Sequence, residues 1–385
     1  MKLSILMPCL NEAETLEICI KKANQWVSRT KIDCEIIIAD NGSNDGSQAI
    51  AIANGARVVS VTQKGYGSAL YHGVKAAQGE FVIMGDSDDS YDFSQLDAFI
   101  NKLEEGCDLV MGNRFLGGIN KGAMPWKNRY IGNPILTWIG RILFRCQAKD
   151  FHCGLRGFSK SAFNKMDLRT TGMEFASEMV IKASLFGMRV AEVPTILSKD
   201  GRSRPPHLRP WRDGWRHLRF MLLFSPKWLF LFPGLFILGL STLIYILLVR
   251  GPVHIYSVEF DIHTLFYAQA GMIIGYLTIA FGMIIRLFGM REGLLQNNVW
   301  LRNLNSYPLL ELGGMIGICL TILGILIGSY ALNSWRLLEF GNLNDHVVLR
   351  IVSISTTFII FGAITILISL IMGFLALPTR EDRFD

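Results

Sequence analysis

Phe81-Val82-Ile83-Met84-Gly85-Asp86-Ser87-Asp88-Asp89 is the stretch that decides the fold of the first half of the chain. Four apolar residues without alternation read as a strand buried on both faces, and such strands belong to parallel sheets covered by helices. The run breaks at a glycine, and carboxylates follow at once. In sheets of this kind ligands bind beyond the carboxyl ends of the strands, so the acidic turn stands where a binding site is expected. Asp86 and Asp88, one residue apart, suit a shared hard divalent cation, Mg²⁺ or Mn²⁺, which prefers oxygen ligands and bridges to substrate phosphates. Taken alone, the tripeptide also reads as an acidic turn that caps the next helix. Its place after a strand, with other acidic strand ends nearby, favours the metal.

The same pattern repeats upstream. Apolar runs at Lys2–Met7, Glu35–Ala39 and Arg57–Val61 alternate with helix-like segments, the clearest from about Ala13 to Trp26. Strand, turn and helix in alternation predict an α/β domain with a Rossmann-like, mostly parallel sheet. The residues after each strand are then the candidates for a nucleotide site: Pro8, Leu10, Asn11 and Glu12; Asp40, Asn41 and Gly42; Lys64 and Gly65; and Gly85 to Asp89, including Ser87. Asp40 ends a buried strand and is expected to face the pocket, where a carboxylate accepts a hydrogen bond from a nucleobase N–H. Ser43 to Ser47 reads as a turn and helix N-cap.

The second half has a different composition. Half of the 385 residues are apolar, and after Ser225 they gather into four blocks, about 228–249, 265–287, 309–330 and 351–377. Each meets the ~20 residues that a spanning helix needs, so an all-α, four-helix transmembrane domain is expected over 228–378, with a tail at 379–385. Arg286, Arg291 and Arg302 flank the second loop and Arg380 and Arg383 the tail. The other loops balance Arg336 with Glu259, Asp261, Glu339 and Asp345. By the positive-inside rule both termini and the domain over 1–205 are cytoplasmic. Between them, 206–227 interleaves Trp211, Trp215, Leu218, Leu222 and Phe224 with Arg212, Arg216 and Arg219 at helical spacing. That pattern predicts a basic amphipathic helix in the headgroup plane, against a solvated helix packed on the soluble domain.

Much of the net charge of +6 lies between Lys199 and Lys227, including Arg202, Arg204 and Arg209. Its position before the apolar blocks points to anionic lipid, at ~1 kcal/mol per basic residue, rather than nucleic acid. The cysteines (Cys9, Cys19, Cys34, Cys107, Cys146, Cys153, Cys319) form no C-x-x-C pair and read as reduced thiols. The opening apolar run, interrupted by Pro8, is too short for a signal peptide. His72, His152, His207 and His217 lack zinc-ligand spacing, and Lys64-Gly65-Tyr66-Gly67 lacks the order of a P-loop.

Together these stretches resemble the family 2 glycosyltransferases of GT-A fold, and within them the dolichyl- or polyprenyl-phosphate mannose and glucose synthases. The matching residues are Ile5 to Glu12, Ile38 to Ser47, Lys64 to Ala69 and Asp86-Ser87-Asp88. They continue with Gly112-Asn113-Arg114-Phe115, Cys153 to Phe158, Gly172 to Glu178 and Glu192-Val193-Pro194. The resemblance covers roughly residues 1–205. It implies that Pro8, Leu10, Glu12 and Asp40 hold base and ribose, and that Asp86 and Asp88 hold the metal and diphosphate. It further implies that Arg114 and Arg129 lie near the phosphates, and that Gly201-Arg202-Ser203-Arg204 approaches the phosphates and acceptor. Leu10 departs from a usual aromatic, and Asn41 and Ser90 from Asp and Gln, which leaves the remaining metal ligands open. The motifs of processive synthases are missing, which argues for a single transfer.

The chemistry follows from charge. Breaking the sugar–phosphate bond leaves negative charge on the diphosphate, which a metal on Asp86 and Asp88 and an arginine stabilise. A lipid phosphate is already anionic and attacks without a general base, with inversion. Arg156, Arg202, Ser203 and Arg204 are then expected near the acceptor phosphate. Glu174 and Glu178, four apart on a helix, either position sugar and acceptor or pair with basic neighbours. A hydroxyl acceptor would instead require one of them as base. The non-enzyme alternative is a membrane scaffold or transporter, against which stand both Asp86 and Asp88 and the few charges within the spans. The expected partners are a nucleotide-sugar (UDP-glucose or GDP-mannose), a polyprenyl phosphate and the bilayer, with a homo-oligomer left open.

Overall fold

The computed structural model describes residues 1–203, 210–295, 309–337, 339–340 and 346–377. Arg204, His207, Arg209, Arg302, Asp345, Arg380, Arg383 and the tail therefore lie outside the described residues. The chain divides into two compact units, Met1–Leu223 and Phe224–Asp385.

The first unit is built on a seven-stranded sheet. Its strands are β1 (Leu3–Cys9), β2 (Cys34–Asp40), β3 (Arg57–Ser60), β4 (Phe81–Met84), β5 (Leu109–Asn113), β6 (Arg156–Ser159) and β7 (Val190–Pro194), in the order β3-β2-β1-β4-β6-β5-β7. All seven residues of β1 are buried, which is why Leu3 to Met7 reads as an unbroken apolar run. β1 runs parallel to β2 and β4, and β2 to β3. β6 is antiparallel to both its neighbours, so the sheet is mixed beyond β4. Helix α1 (Leu16–Thr30) covers one face with Leu16, Cys19, Ile20, Ala23 and Trp26, a three-to-four-residue repeat of buried positions.

Register positions the site. Cys9 lies opposite Asp40 and Leu6 opposite Met84, so the turns after β1, β2 and β4 open on one edge. The remaining helices of this unit are α2 (Ser47–Ala53), α3 (Tyr66–Ala76), α4 (Asp97–Glu104), α5 (Arg114–Gly117), α6 (Asn133–Phe144), α7 (Lys160–Met166), α8 (Glu174–Leu185) and α9 (Pro210–Leu223).

Two further features mark the first unit. It includes α9 and runs to Leu223. His217 Nδ1 lies 2.7 Å from Ser177 Oγ on α8, and Met221 is fully buried. His152 packs edge-on at 4.8 Å between ring centroids against His217. Burial, and then the neighbouring His217, hold it neutral, well below the ordinary histidine value. Trp215 remains exposed on α9. The second feature is an apolar exposed face of the segment before and along α6: Trp126, Tyr130, Ile131, Ile135 and Trp138.

Among the described residues the second unit holds four helices long and apolar enough to cross a membrane: Lys227–Arg250, Ile262–Arg291, Leu310–Leu337 and His346–Leu375. The first opens with a π-helical turn at Lys227–Leu231 and continues as α10 (Phe232–Arg250). The others are α11 (Ile262–Arg291), α12 (Leu309–Leu337) and α13 (His346–Leu375). A short hairpin of β8 (Val253–Ile255) and β9 (Val258–Phe260) joins the first two. Glycines set the helix contacts. A Cβ at Gly275 would lie 2.6 Å from the Leu238 backbone nitrogen, and one at Gly324 would lie 2.8 Å from the Ser355 carbonyl. Small residues permit this close approach where lipid gives no hydrophobic driving force. Gly275→Leu or Gly324→Leu is expected to cost about 1–3 kcal/mol by overpacking, read as a lowered melting temperature of purified protein in detergent.

A buried polar network links three of these helices. Tyr245 Oη lies 3.1 Å from Ser353 Oγ, and Gln269 Nε2 donates to Thr356 Oγ1 at 2.8 Å. Asp261, ahead of α11, accepts from Arg350 of α13 and lies 2.7 Å from His346 Nδ1. Tyr245, Gln269 and Ser353 thus find partners inside an otherwise apolar bundle.

Candidate active site

The strand-end turns enclose a cleft of about 580 Å³. Pro8, Leu10, Glu12, Asn41, Lys64, Gly65, Asp86, Ser87, Asp88 and Arg202 line it, together with Tyr66, Met173, Arg212 and Arg216.

Asp86 and Asp88 are held in place by different partners. Tyr66 Oη donates to Asp86 Oδ1 at 2.9 Å, while the Ser90 backbone N–H and hydroxyl donate to Asp88 Oδ1 at 3.1 and 2.5 Å. These bonds engage Oδ1 of each carboxylate. Asp88 Oδ2 is met by Nη2 of Arg202, whose Nη1 reaches Glu12 Oε1 at 3.1 Å. A cationic group already sits between these carboxylates, and their hard oxygen donors fit a divalent cation. Among the described residues no set of three or more His, Cys, Asp or Glu forms a cage.

Burial, and then the charge of Asp88, push Asp86 up to about 6. The shift is upward for an acid, so the ionised form, which a divalent cation would need, prevails only above that value. Mn²⁺ affinity measured by calorimetry is expected to fall roughly tenfold per pH unit below about 6. Gly154 fixes the position of the same carboxylate. A Cβ there would lie 2.5 Å from Asp86 Oδ2, so Gly154→Ala is expected to displace that oxygen and weaken Mn²⁺ binding by about tenfold or more while the melting temperature changes little.

The turn after β2 is a scaffold for the turn after β3. Asn41 donates through Nδ2 to the carbonyls of Val61 and Gln63 at 3.1 and 2.8 Å, and its Oδ1 accepts from Gly65 N–H at 2.7 Å. Lys64 Nζ donates to the Asn41 carbonyl at 2.7 Å. Gly65 has φ +134° and its missing Cβ would meet the Thr171 carbonyl at 2.2 Å, so only glycine fits. Asn41 is thus a structural bracket, which accounts for an amide at this position. Ser87 Oγ donates to the Pro8 carbonyl at 2.7 Å and ties the β1 and β4 turns together. Asn11, at φ +60°, joins the β1 turn to the β2 turn by accepting from Asn44 N–H at 2.8 Å.

Several expected site residues turn out otherwise placed. Asp40 is 1% exposed and absent from the lining. Its oxygens accept from Gly42 and Ser43 N–H and from Gln48 Nε2 at 2.6 Å, so they close their own turn. Arg114, expected near the phosphates, is buried in a bidentate pair with fully buried Asp150, both bonds 2.7 Å. Asp150 needs a full countercharge in a dry site, and Arg114 supplies it. Arg129 sits over the ring of Tyr130, 5.5 Å from its centroid, and does not line the cleft. Arg156, expected at the acceptor, is fully buried and donates to the carbonyls of Cys153, Ala176 and Phe151. Glu178 is also fully buried. It accepts from Arg169 and Thr170 and lies 3.1 Å from Lys182, so of the two roles weighed it takes pairing. Glu174 lies 3.9 Å from Arg216. Ser203 donates through N–H to Glu14 at 2.7 Å, and Arg204 lies outside the described residues.

Sequence reasoning missed Tyr66, Gly154 and the placement of Arg212 and Arg216 in the cleft. Tyr66 and Gly154 lie inside quoted motifs, but their contact with Asp86 spans 20 and 68 positions of sequence.

A parallel half-sheet whose strand ends gather a carboxylate pair and several cations in one cleft defines a GT-A-type domain, here followed by a membrane-spanning region. The glycosyl transferase family 2 model matches residues 4–167, and the model of the glycosyltransferase family 2 C-terminal transmembrane region matches 283–376. The chain is 34% identical to the low-salt glycan biosynthesis hexosyltransferase Agl6 of Haloferax volcanii, over 86% of this chain and 80% of that protein. It is 31% identical to glycosyltransferase AglJ of the same organism, over 54% and 67%. Among solved structures, glucosyl-3-phosphoglycerate synthase from Mycobacterium tuberculosis with Mn²⁺, UDP and glucosyl-3-phosphoglycerate matches with TM-score 0.44 and 23% identity, over 58% of this chain and 77% of that one. The chain belongs to glycosyltransferase family 2, in its branch with a C-terminal transmembrane region.

Proposed function

We propose that this enzyme transfers a single hexose from a nucleoside-diphosphate sugar to a polyprenyl phosphate, with inversion, at the cytoplasmic face of a membrane. The observation that carries the reading is the set of charges in the cleft. Its carboxylates are Glu12, Asp86 and Asp88; the last two suit a metal, and Glu12 is engaged by Arg202. Glu178 is committed to the 169–170 backbone. No carboxylate among the described lining residues is left to deprotonate a hydroxyl. A phosphate acceptor needs no such base, and Arg202, Arg212 and Arg216 offset its charge.

Pro8, Leu10, Glu12 and Lys64 bound the part of the cleft that takes the nucleoside. Asp86 and Asp88 would hold Mg²⁺ or Mn²⁺, which would supply neutralisation of the charge on the departing diphosphate. Arg202, held by Asp88 and Glu12, adds its charge beside the phosphates. Tyr66 and Ser90 keep the two carboxylates oriented as the charge moves. Because the acceptor oxygen attacks from the side opposite the diphosphate, the anomeric centre inverts. A hexose agrees with the activity named for the Haloferax relative. The exposed Trp126, Tyr130 and Trp138 supply an aromatic face of the kind that seats at headgroup level.

The test is a matched pair of acceptors. Purified protein with Mn²⁺ and UDP-glucose or GDP-mannose is expected to glycosylate citronellyl phosphate and to leave citronellol untouched. Equal transfer to the alcohol would defeat the phosphate assignment.

A further inference from the structure

Helix α9 carries two arginines into the cleft, Arg212 and Arg216, and nothing in the nucleotide chemistry requires them. Four residues apart, they lie on one helical face. The carboxylates of the cleft already have Arg202 as their neighbour, and Lys64 is held at the Asn41 carbonyl. With a divalent cation matching the donor diphosphate, the charge that remains to be met is that of a second phosphate. A phosphate monoester carries about −1.5 to −2 near pH 7, and guanidinium groups suit it.

The surroundings agree. Met173 and Gly172 share the lining with the arginines, and Glu174 of α8 lies 3.9 Å from Arg216 Nε. α9 is not a loose arm, since the His217–Ser177 contact and buried Met221 fix it to the catalytic unit. Along the chain, α9 ends at Leu223 and the first spanning segment opens at Lys227. The cationic pair therefore belongs to the stretch of chain nearest in sequence to the bilayer, where a lipid phosphate is anchored.

We propose that Arg212 and Arg216 form the site for the phosphate monoester of the lipid acceptor, separate from the site of the donor diphosphate. The inference rests on the acceptor reading above and adds to it the residues that recognise the acceptor. Each is a binding residue whose fork accepts phosphate oxygens, so lysine in its place keeps the charge and loses the bidentate geometry.

The experiment uses the full chain purified in a detergent free of anionic lipid. Citronellyl phosphate binding is measured directly, and its KM is measured at saturating donor, for the wild type, Arg212→Ala, Arg216→Ala and the two lysine variants. Each alanine variant is expected to raise the Kd and KM for citronellyl phosphate about 10- to 100-fold, the worth of a charge-assisted hydrogen bond. Lysine is expected to recover part of that loss. The affinity for nucleoside diphosphate with Mn²⁺ is expected to stay within about twofold. An unchanged acceptor KM and Kd would overturn the proposal, and so would weakened nucleoside diphosphate binding, which would assign the arginines to the donor. Inorganic phosphate bound as tightly as citronellyl phosphate would reduce the site to a general anion site and also overturn it. Arginine-dependent binding of citronellyl phosphate without any transfer would sustain this site while defeating the reaction proposed above.

Discussion

Asp88→Asn is expected to lower turnover on the order of 10²–10³-fold, the loss typical of removing one group that stabilises charge in the transition state. The substitution is nearly isosteric. Ser90 still donates to the remaining side-chain oxygen, as it does to Asp88 Oδ1 at 2.5 and 3.1 Å, so the turn keeps its shape. What disappears is the negative charge that holds Arg202 and, with Asp86, suits a divalent cation. The melting temperature is expected to hold while Mn²⁺ affinity falls with kcat. Full turnover in this variant would remove the carboxylate pair from the mechanism, and a phenotype in cells that ignores the substitution would favour a scaffold.

Arg114→Met is expected to act on stability rather than on chemistry. It leaves Asp150 fully buried without its guanidinium, and breaking a buried pair from one side costs about 3–5 kcal/mol. Replacing both partners, Arg114→Met with Asp150→Leu, is expected to recover most of that loss, since well-packed apolar residues substitute for a buried pair at little cost. Chemical denaturation of the four variants in a double-mutant cycle reads the coupling. An arginine that touched the diphosphate would behave in the opposite way, with turnover lost, stability kept and no rescue by changing Asp150.

These two residues show where the sequence is legible and where it stops. Asp86 and Asp88 follow a four-residue apolar run, and a local pattern of this kind tells both the strand and the edge on which it ends. The four spans are equally local, since length and composition alone define them. Arg114 also sits just past a strand, and the resemblance places it near phosphate. Its partner Asp150, however, comes from 36 positions away, and no spacing rule reports it. Arg156 fails for the same reason, its partners being carbonyls of Phe151, Cys153 and Ala176. Asp40 was expected to face the pocket, yet the turn it begins folds back on its own carboxylate through Gly42, Ser43 and Gln48. α9 has the period of an interfacial helix, and a basic face suits a headgroup layer and an anionic cleft alike. The contact of His217 with Ser177 puts Arg212 and Arg216 in the cleft. The antiparallel β6 is the one strand that breaks the parallel expectation, and its four residues carry too little pattern to reveal direction.

The most direct test of the central claim is the structure of the product. Wild-type protein incubated with Mn²⁺, citronellyl phosphate and either UDP-glucose or GDP-mannose, whose sugars are both α-linked, is analysed by NMR and mass spectrometry. A β-linked hexosyl phosphodiester of the lipid is predicted, formed in step with nucleoside diphosphate release. An α-linked product, or release of nucleoside diphosphate with no phosphodiester formed, would contradict inverting transfer to a lipid phosphate.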